Sequence, residues 1–364
     1  MAGLTRLNAR LDRRRLIVTS SGAALGAAVL GRGAYVSAQD SDVIATLVTD
    51  TAGIGDQNFN DLANAGGVLA AEDFGIDWRV LESQTQADYV SNLTLAMEQG
   101  QLTVPNGFLL IDAVAEVAPQ FPDKFIVFID AVDENPNVQS VIFKEHEGGF
   151  LGGILAALVT QTGVLGIMGG IRVPPVERYE VGFIAGARTI NPDIEVLISY
   201  ADSFEDPALG QELTLAQFNN GADIVMPIAG RTGVGSFDAA IERDEDVWVL
   251  AADTDQSHLG PEVQLAYIKK GVDEAVYQGC EQVVNGTFEP GIRDLGLAEA
   301  GMDLLGFHAS VDQGIIDAIA SYKQAIIDGM IMVPVDDDAL AAFEPIVLDV
   351  AATPEATPEA TPAS

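Results

Sequence analysis

Five positions that could contribute to a ligand site follow apolar runs with the character of buried strands. Asp50, Asp130 and Asp253 supply carboxylates, Phe204 supplies an aromatic ring, and Gly230 supplies a flexible turn. Carboxylates accept hydrogen bonds, and aromatic rings stack on flat groups. The carboxyl ends of parallel strands are neighbours in space, and α/β proteins bind ligands there. These positions therefore predict one binding site rather than five unrelated loops.

The stretch 42–61 carries the densest group of such residues. Its apolar run Val43–Val48 predicts a strand, which is followed by a turn with two glycines and by the start of a helix. Phe59 lies at that helix start between Asn58 and Asn60, nine residues after Asp50. Two interpretations remain open from the local sequence. Phe59 either faces a ligand, or it packs the helix start while its polar neighbours cap the helix.

The elements that must position these residues alternate between strand and helix from residue 40 to residue 350. A long helix is predicted over Pro261–Val284. The alternation restarts near Phe143–Gly148, so it predicts an α/β fold with two doubly wound parallel sheets. The predicted strands are Ala45–Val48, Trp78–Glu82, Gly107–Ile111, Lys124–Ile129, Val138–Phe143, Val164–Met168, Glu195–Ser199, Ile224–Ile228 and Val247–Ala251.

Composition excludes several classes of partner and site. The chain has 54 acidic and 18 basic residues and a formal net charge of −36. Such a charge repels nucleic acid and anionic membranes, so no nucleic-acid partner and no membrane insertion of the mature chain are expected. The single cysteine, Cys280, can form neither an intramolecular disulfide nor a cysteine-cluster metal site. The three histidines have no metal-binding spacing, and we expect no metal and no cofactor.

The two ends of the chain are predicted to lie outside the folded domains. Residues 1–39 combine the cluster Arg13–Arg15, an Ala/Gly-rich apolar stretch and the small-residue site Val36–Ala38, which is typical of a cleaved signal peptide of the twin-arginine type. Residues 351–364 repeat a Thr-Pro-Glu-Ala pattern that predicts a disordered tail. The protein is therefore expected to be exported and to work outside the cytoplasm.

Many short motifs, in order, resemble one known family, the basic membrane protein or PnrA-like nucleoside-binding proteins of ABC transporters. The resemblance covers roughly residues 43–335. The motifs that carry it are VTDTAGIGDQNFND at 48–61, LESQTQADYVSNL at 81–93, GFLLIDAVAEVAPQFPDKFIVFIDA at 107–131, FKEHEGGFLGG at 143–153, GGIRVPPVERYEVGFIAG at 169–186, ADSFEDPALGQEL at 201–213, AGRTGVGSFDAA at 229–240, ADTDQ at 252–256 and YIKKGVDEAVY at 267–277.

This resemblance implies the class I periplasmic-binding-protein fold, in which two α/β lobes joined by a multi-stranded hinge close on a ligand. It implies a monomeric solute-binding protein of an ABC importer, which takes a purine or other nucleoside to a permease and its ATPase. The first lobe is expected to comprise 40–145 with roughly 257–300, and the second 146–256 with roughly 301–350.

The resemblance also assigns ligand-binding roles by position. Aromatic residues would sandwich the base, carboxylates would accept hydrogen bonds from ribose hydroxyls, and a lysine would neutralise the carboxylates. The chain departs from the family pattern by lacking a lipobox cysteine, by having Arg231 after the glycine turn, and by having Asn58 where serine is usual. The expected site residues are Asp50, Asn58, Phe59, Asn60, Asp130, Phe204, Gly230, Asp253 and Lys270.

Two other functions share parts of this pattern. A sensory receptor domain for a nucleoside-like heterocycle would use the same fold and the same closure. A nucleoside hydrolase would use carboxylates around a cleft, but the chain has no nucleophile-elbow motif and no Walker A loop. The sequence therefore favours a transport protein that is not an enzyme.

Overall fold

A computed structural model describes residues 42–243 and 246–348; the predicted signal peptide at 1–39 and the predicted tail at 351–364 lie outside these residues. The strands are β1 Ile44–Val48, β2 Asp77–Leu81, β3 Leu102–Pro105, β4 Phe125–Ile129, β5 Val138–Phe143, β6 Val164–Gly169, β7 Glu195–Tyr200, β8 Ile224–Ile228, β9 Trp248–Asp253, β10 Gln264–Lys270, β11 Gly291–Leu295 and β12 Met302–Leu305. The helices are α1 Phe59–Phe74, α2 Tyr89–Gln99, α3 Ile111–Val117, α4 Glu145–Val159, α5 Pro174–Ile190, α6 Pro207–Asn219, α7 Val234–Arg243, α8 Val272–Asn285, α9 Gln313–Ile327 and α10 Asp337–Ala341.

The strands form two six-stranded sheets. The first has the order β11-β5-β4-β3-β1-β2, and its strands are all parallel. The second has the order β12-β10-β9-β8-β6-β7 and is parallel except for the edge pair β10 and β12. Helices cover both faces, which is why central strands such as β8, with the sequence IVMPI, are buried throughout. The predicted α/β class with two doubly wound sheets is confirmed.

The chain passes between the two sheets three times. It leaves the first sheet after β5 and enters the second lobe with α4, which packs along α5. It returns after β10 with α8, which packs against α1. The last crossing lies between β11 in the first sheet and β12 in the second. These three connections form the hinge region, and they place the ends of β4 and β10 next to each other.

The structure differs from the sequence analysis in two segments. The apolar stretch Gly107–Ile111 is not a strand, because the preceding β3 takes that place in the sheet and the chain turns helical from Phe108. The predicted helix Pro261–Val284 is instead the strand β10 followed by α8. The part of 257–300 that forms β10 therefore belongs to the second sheet, not to the first lobe. Short apolar segments fit both the helix and the strand periodicity. Here the place that the neighbouring strands leave free in each sheet decides which of the two forms.

Glycines allow α4 and α5 to pack closely beneath the cleft. A Cβ atom at Gly149 would lie 2.5 Å from the carbonyl oxygen of Tyr179, and one at Gly153 would lie 2.1 Å from that of Phe183. Since real Cβ atoms do not approach that closely, larger residues would push the helices apart. This packing fixes Tyr179, which is 1% exposed, at the base of the cleft. None of the described helices is long and apolar enough to span a bilayer.

Candidate ligand-binding cleft

A cleft between the two lobes brings together eight of the nine predicted site residues. The space between its walls is about 590 Å³, a figure that includes open solvent at its mouth. Residues that the sequence analysis did not assign to the site, including Asp56, Phe108, Pro175 and Tyr179, also line it. The predicted residues along the cleft are Asp50, Phe59, Asn60, Asp130, Phe204, Gly230, Asp253 and Lys270.

Asp56 organises the wall that the first lobe contributes. Its carboxylate accepts hydrogen bonds from the backbone amides of Asn58, Asn60 and Asp61 at 3.0, 2.8 and 3.1 Å, so it caps the start of α1. The Asn60 side-chain amide donates to Asp56 at 3.1 Å and to Asp50 at 2.8 Å. Both amide hydrogens of Asn60 are thus engaged by carboxylates, and its place in the site is to hold Asp50. The polar stretch Asp56–Asp61 before α1 has the character of a helix cap, and from it the role of Asp56 could have been predicted.

A chain of buried charges crosses the base of the cleft between the lobes. Lys270 Nζ at the end of β10 lies 2.7 Å from Asp130 Oδ2 at the end of β4 and 3.0 Å from Glu145 Oε1 at the start of α4. Arg178 Nε on α5 donates to Glu145 Oε2 at 2.6 Å. Glu145 is fully buried, and the Lys270 side chain is 3% exposed. Glu145 was not recognised in the sequence because the strand before it, Val138–Phe143, was not assigned to the site, and Arg178 was not recognised because it lies within a helix.

Burial and pairing shift the protonation equilibria of this cluster. Burial raises the pKa of Asp130 to about 6 although the Lys270 ammonium group lowers it, and burial raises the pKa of Asp50 to about 6 as well. Burial lowers the pKa of Lys270, but the carboxylates of Asp130, Glu145 and Asp253 raise it above its ordinary value. The lysine is therefore charged at neutral pH. The other carboxylate oxygen of Asp130, Oδ1, is buried and has no hydrogen-bond partner among the described residues.

Asp130 and Asp253 occupy equivalent places at strand ends of the two lobes and share an uncommon backbone conformation. Their φ angles are +69° and +65°, in the left-handed region that residues with a side chain rarely adopt. Asp253 is half-buried, and its Oδ1 accepts a hydrogen bond from the Tyr179 hydroxyl at 2.8 Å. Such strain is maintained where the surrounding structure requires it, which is common at functional sites. The left-handed backbone at Asp130 and Asp253 turns both carboxylates into the cleft.

Phe59 and Phe204 contribute half-buried rings from opposite lobes. Lys270 Nζ lies 5.1 Å from the centroid of the Phe59 ring, within the range of a cation–π interaction. Phe204 lies against Gly170, where a Cβ atom would come within 2.3 Å of the ring. Gly230 has φ +52° and passes close to the Phe204 backbone. The glycines therefore make room for the aromatic side chain at the cleft wall.

Asn58 is the predicted site residue that the structure does not place along the cleft. It is 2% exposed at the start of α1, and its backbone amide donates to Asp56. It lies instead along a separate cavity between the lobes, with Thr254, Asp255 and His258. The turn before α1 directs Asn58 away from Asp50, and consecutive residues at a helix start point in different directions.

Acidification from about pH 6 to pH 4 is expected to stabilise the ligand-free protein. Burial raises the pKa of Asp50, Asp56 and Asp130 from 3.8 to about 6. In this range the folded chain binds protons that the unfolded chain does not, so the free energy of unfolding rises as pH falls. His146, whose pKa burial lowers from 6.5 to about 4, acts in the opposite direction, as does Glu145 with its lowered pKa. Because the carboxylates with a raised pKa outnumber the groups that act against them, the free energy of unfolding should rise overall as the pH falls.

Thermal melts of the ligand-free protein at about pH 6, 5 and 4 check this expectation. Asp50→Asn preserves the shape of the side chain and removes one titrating group, so it should flatten the rise. A melting temperature of the wild-type protein that falls steadily over the same range would contradict the assignment.

The geometry defines a two-lobed solute-binding protein with an interlobe cleft. Residues 43–337 match the model of a family described as ABC transporter substrate-binding protein PnrA-like, and the chain belongs to this family. Among its relatives is an ABC transporter nucleoside-binding protein BmpA of Lactococcus lactis, 33% identical, with 81% of this chain and 90% of the relative covered. A CD4+ T-cell-stimulating antigen of Listeria innocua is 32% identical, with coverage of 87% and 96%.

A solved structure supports the same assignment. An ABC transporter solute-binding protein of Aeropyrum pernix K1 superimposes with a TM-score of 0.76 and 28% identity, covering 82% of this chain and 96% of that one. The family resemblance drawn from the short motifs is thereby confirmed over nearly the same residues.

Proposed function

We propose that this protein binds a nucleoside in its interlobe cleft and delivers it to the permease of an ABC importer. The observation that carries the proposal is the Asp130 Oδ1 atom, which has no hydrogen-bond partner among the described residues and is buried in a cleft with aromatic rings on both lobes. A buried carboxylate oxygen without a donor is costly, and a ligand hydroxyl would satisfy it. Nucleosides combine such hydroxyls with a flat base.

Each part of a nucleoside has a matching group in the cleft. The base has two faces, and Phe59 and Phe204 approach from opposite lobes, so they would stack on both of them. Ribose hydroxyls would donate to Asp130 and to the Asp253 carboxylate, whose Oδ1 is already oriented by Tyr179. Asp50 would accept from a donor on the base or the sugar.

The arrangement disfavours phosphorylated ligands at the same position. Lys270 is the cationic side chain among the residues that line the cleft, and it is already shared between Asp130 and Glu145. A phosphate group would therefore meet carboxylates rather than free donors. An uncharged nucleoside fits this environment better.

Ligand binding would couple to lobe closure because the ligand contacts both lobes. A molecule that binds only the closed arrangement shifts the population toward it, and the closed form is what a permease would recognise. We infer that the mature protein is exported by its signal sequence, acts as a monomer outside the cytoplasm, and works with a permease and its ATPase. Mass spectrometry of the small molecule released from purified protein tests the ligand class, and release of an unrelated compound would overturn it.

Asp253→Asn should reduce the preference for ribonucleosides over 2′-deoxyribonucleosides. Replacing a charged acceptor by a neutral one weakens a hydrogen bond by about 1 kcal/mol, which is about fivefold in affinity. Asn tolerates the left-handed backbone at this position, so the fold should be preserved. Titration calorimetry with paired ribo- and deoxyribonucleosides gives the ratio of the two affinities.

Asp202→Asn is the matched control, because Asp202 shares the left-handed backbone conformation, with φ +52°, but is exposed and does not line the cleft. It should leave both affinities unchanged. Unchanged affinities for Asp253→Asn as well would remove Asp253 from the site.

A further inference from the structure

In the described part of the chain, two hydrogen bonds outside the cleft join the turn before α1 to the segment after β9, and both end on Gln57. The Gln256 side-chain amide donates to the backbone carbonyl oxygen of Gln57 at 3.1 Å, and His258 Nε2 lies 2.9 Å from Gln57 Oε1. Gln57 belongs to the first lobe, just before α1, whereas Gln256 and His258 follow β9 in the second lobe. We refer to these three residues as the latch. None of them lines the ligand cleft.

Both sides of the latch are held rigidly. The Gln57 backbone amide donates to Asp61 at 3.0 Å, and Gln57 has φ +57°, an uncommon conformation for a residue with a side chain. On the other lobe, the Gln256 backbone amide donates to Gln264 at 3.0 Å, and the Gln264 side chain donates to Asp255 at 2.9 Å. The donors and acceptors are therefore oriented before the lobes meet.

The latch is connected to the cleft walls through very short stretches of chain. Gln57 precedes Phe59 by two residues, and Gln256 follows Asp253 by three. Separation of the lobes at the cleft mouth must break both latch bonds. It would also expose the Gln256 side chain, which is 1% exposed in this structure.

We propose that the latch determines how long a ligand is retained by stabilising the closed arrangement of the lobes. Its hydrogen bonds exist only in the closed arrangement, so they oppose reopening and, in the ligand-free chain, lower the fraction of open molecules that a ligand can enter. Losing one hydrogen bond should raise the dissociation rate roughly 2- to 12-fold. The association rate should not fall, and the relative affinities for different ligands should stay constant, because the latch touches no ligand.

Stopped-flow chase experiments on the mature chain test this proposal with adenosine as the probe. His258→Ala and Gln256→Ala each remove one latch bond. Gln57 is left unchanged, because alanine at its φ angle would add strain of its own. Gln313→Ala is the matched control, since Gln313 is an exposed glutamine on α9 whose side-chain amide donates to Asp317. Faster dissociation in both latch variants, with association no slower than in the wild type and wild-type rates for the control, is the expected result.

Dissociation rates equal to the wild-type rate in both latch variants would overturn the proposal. So would a loss of affinity that comes from slower association. If the wild-type protein binds no adenosine, the proposed function is in doubt while the latch is still testable. The radius of gyration of the ligand-free chain, measured by small-angle X-ray scattering, then decides whether the latch stabilises the closed arrangement. It should be larger in the latch variants than in the wild-type and control proteins, and equal values would refute the latch.

Discussion

Lys270→Met is expected to destabilise the protein by about 3–5 kcal/mol and to abolish nucleoside binding, because it leaves buried carboxylates without their cation. Asp130 Oδ2 and Glu145 Oε1 would both lose a partner within 3.0 Å. Methionine fills a similar volume, so the loss arises from charge rather than from a cavity. Urea unfolding of the ligand-free variant and titration calorimetry with a nucleoside measure the two effects.

The neighbouring residue Lys269 offers a matched control on the same strand. Its ammonium group pairs with Glu274 at 2.8 Å, but the two side chains are 25% and 51% exposed. Exposed ion pairs contribute about 0–1 kcal/mol, so Lys269→Met should be nearly neutral for stability and for binding.

The Lys270→Met defect should shrink when the orphaned charge is removed. At about pH 5 Asp130 takes up a proton more readily, and the double variant Lys270→Met/Asp130→Asn carries one carboxylate fewer. Both conditions should restore part of the lost stability. Equal stability of Lys270→Met and Lys269→Met at neutral pH would contradict the structural role of the buried cluster.

Phe59→Ala and Phe204→Ala are each expected to weaken nucleoside binding roughly 5- to 150-fold, because stacking on a base contributes roughly 1–3 kcal/mol. The effect of Phe59→Ala should lie toward the upper end, because the ring also lies 5.1 Å from Lys270 Nζ. Both rings are only half-buried, so the stability of the ligand-free protein should change little. Calorimetry and thermal melts on the same samples separate affinity from folding.

Phe74→Ala serves as the control at the other end of α1. Its ring packs against Tyr277 with centroids 5.1 Å apart and does not line the cleft. This variant should lower the melting temperature without changing affinity. If Phe59→Ala behaves in the same way, Phe59 is a helix-packing residue, which is the alternative that the local sequence leaves open.

The sequence alone determined the class of fold and the places where the cleft residues come from. Strand and helix periodicities are local properties, and helices on both faces of a parallel sheet produce the uninterrupted apolar runs that identified β1, β4, β8 and β9. The short motifs also identified the family to which the chain belongs. Strand ends carrying Asp50, Asp130 and Asp253 could be recognised because topology places the carboxyl ends of parallel strands together.

The tertiary structure decided which groups meet across the chain and which way they point. Lys270 pairs with Asp130 over 140 residues of sequence, and Gln256 meets Gln57 over 199, so no local pattern carries either contact. The strand β10 could not be distinguished from a helix, because its place between β9 and β12 in the second sheet exists only after the other strands have assembled. Asn58 differs from Phe59 and Asn60 in the direction in which its side chain points, and of the three only those two line the cleft. That direction follows from the backbone turn before α1, which three-dimensional packing fixes.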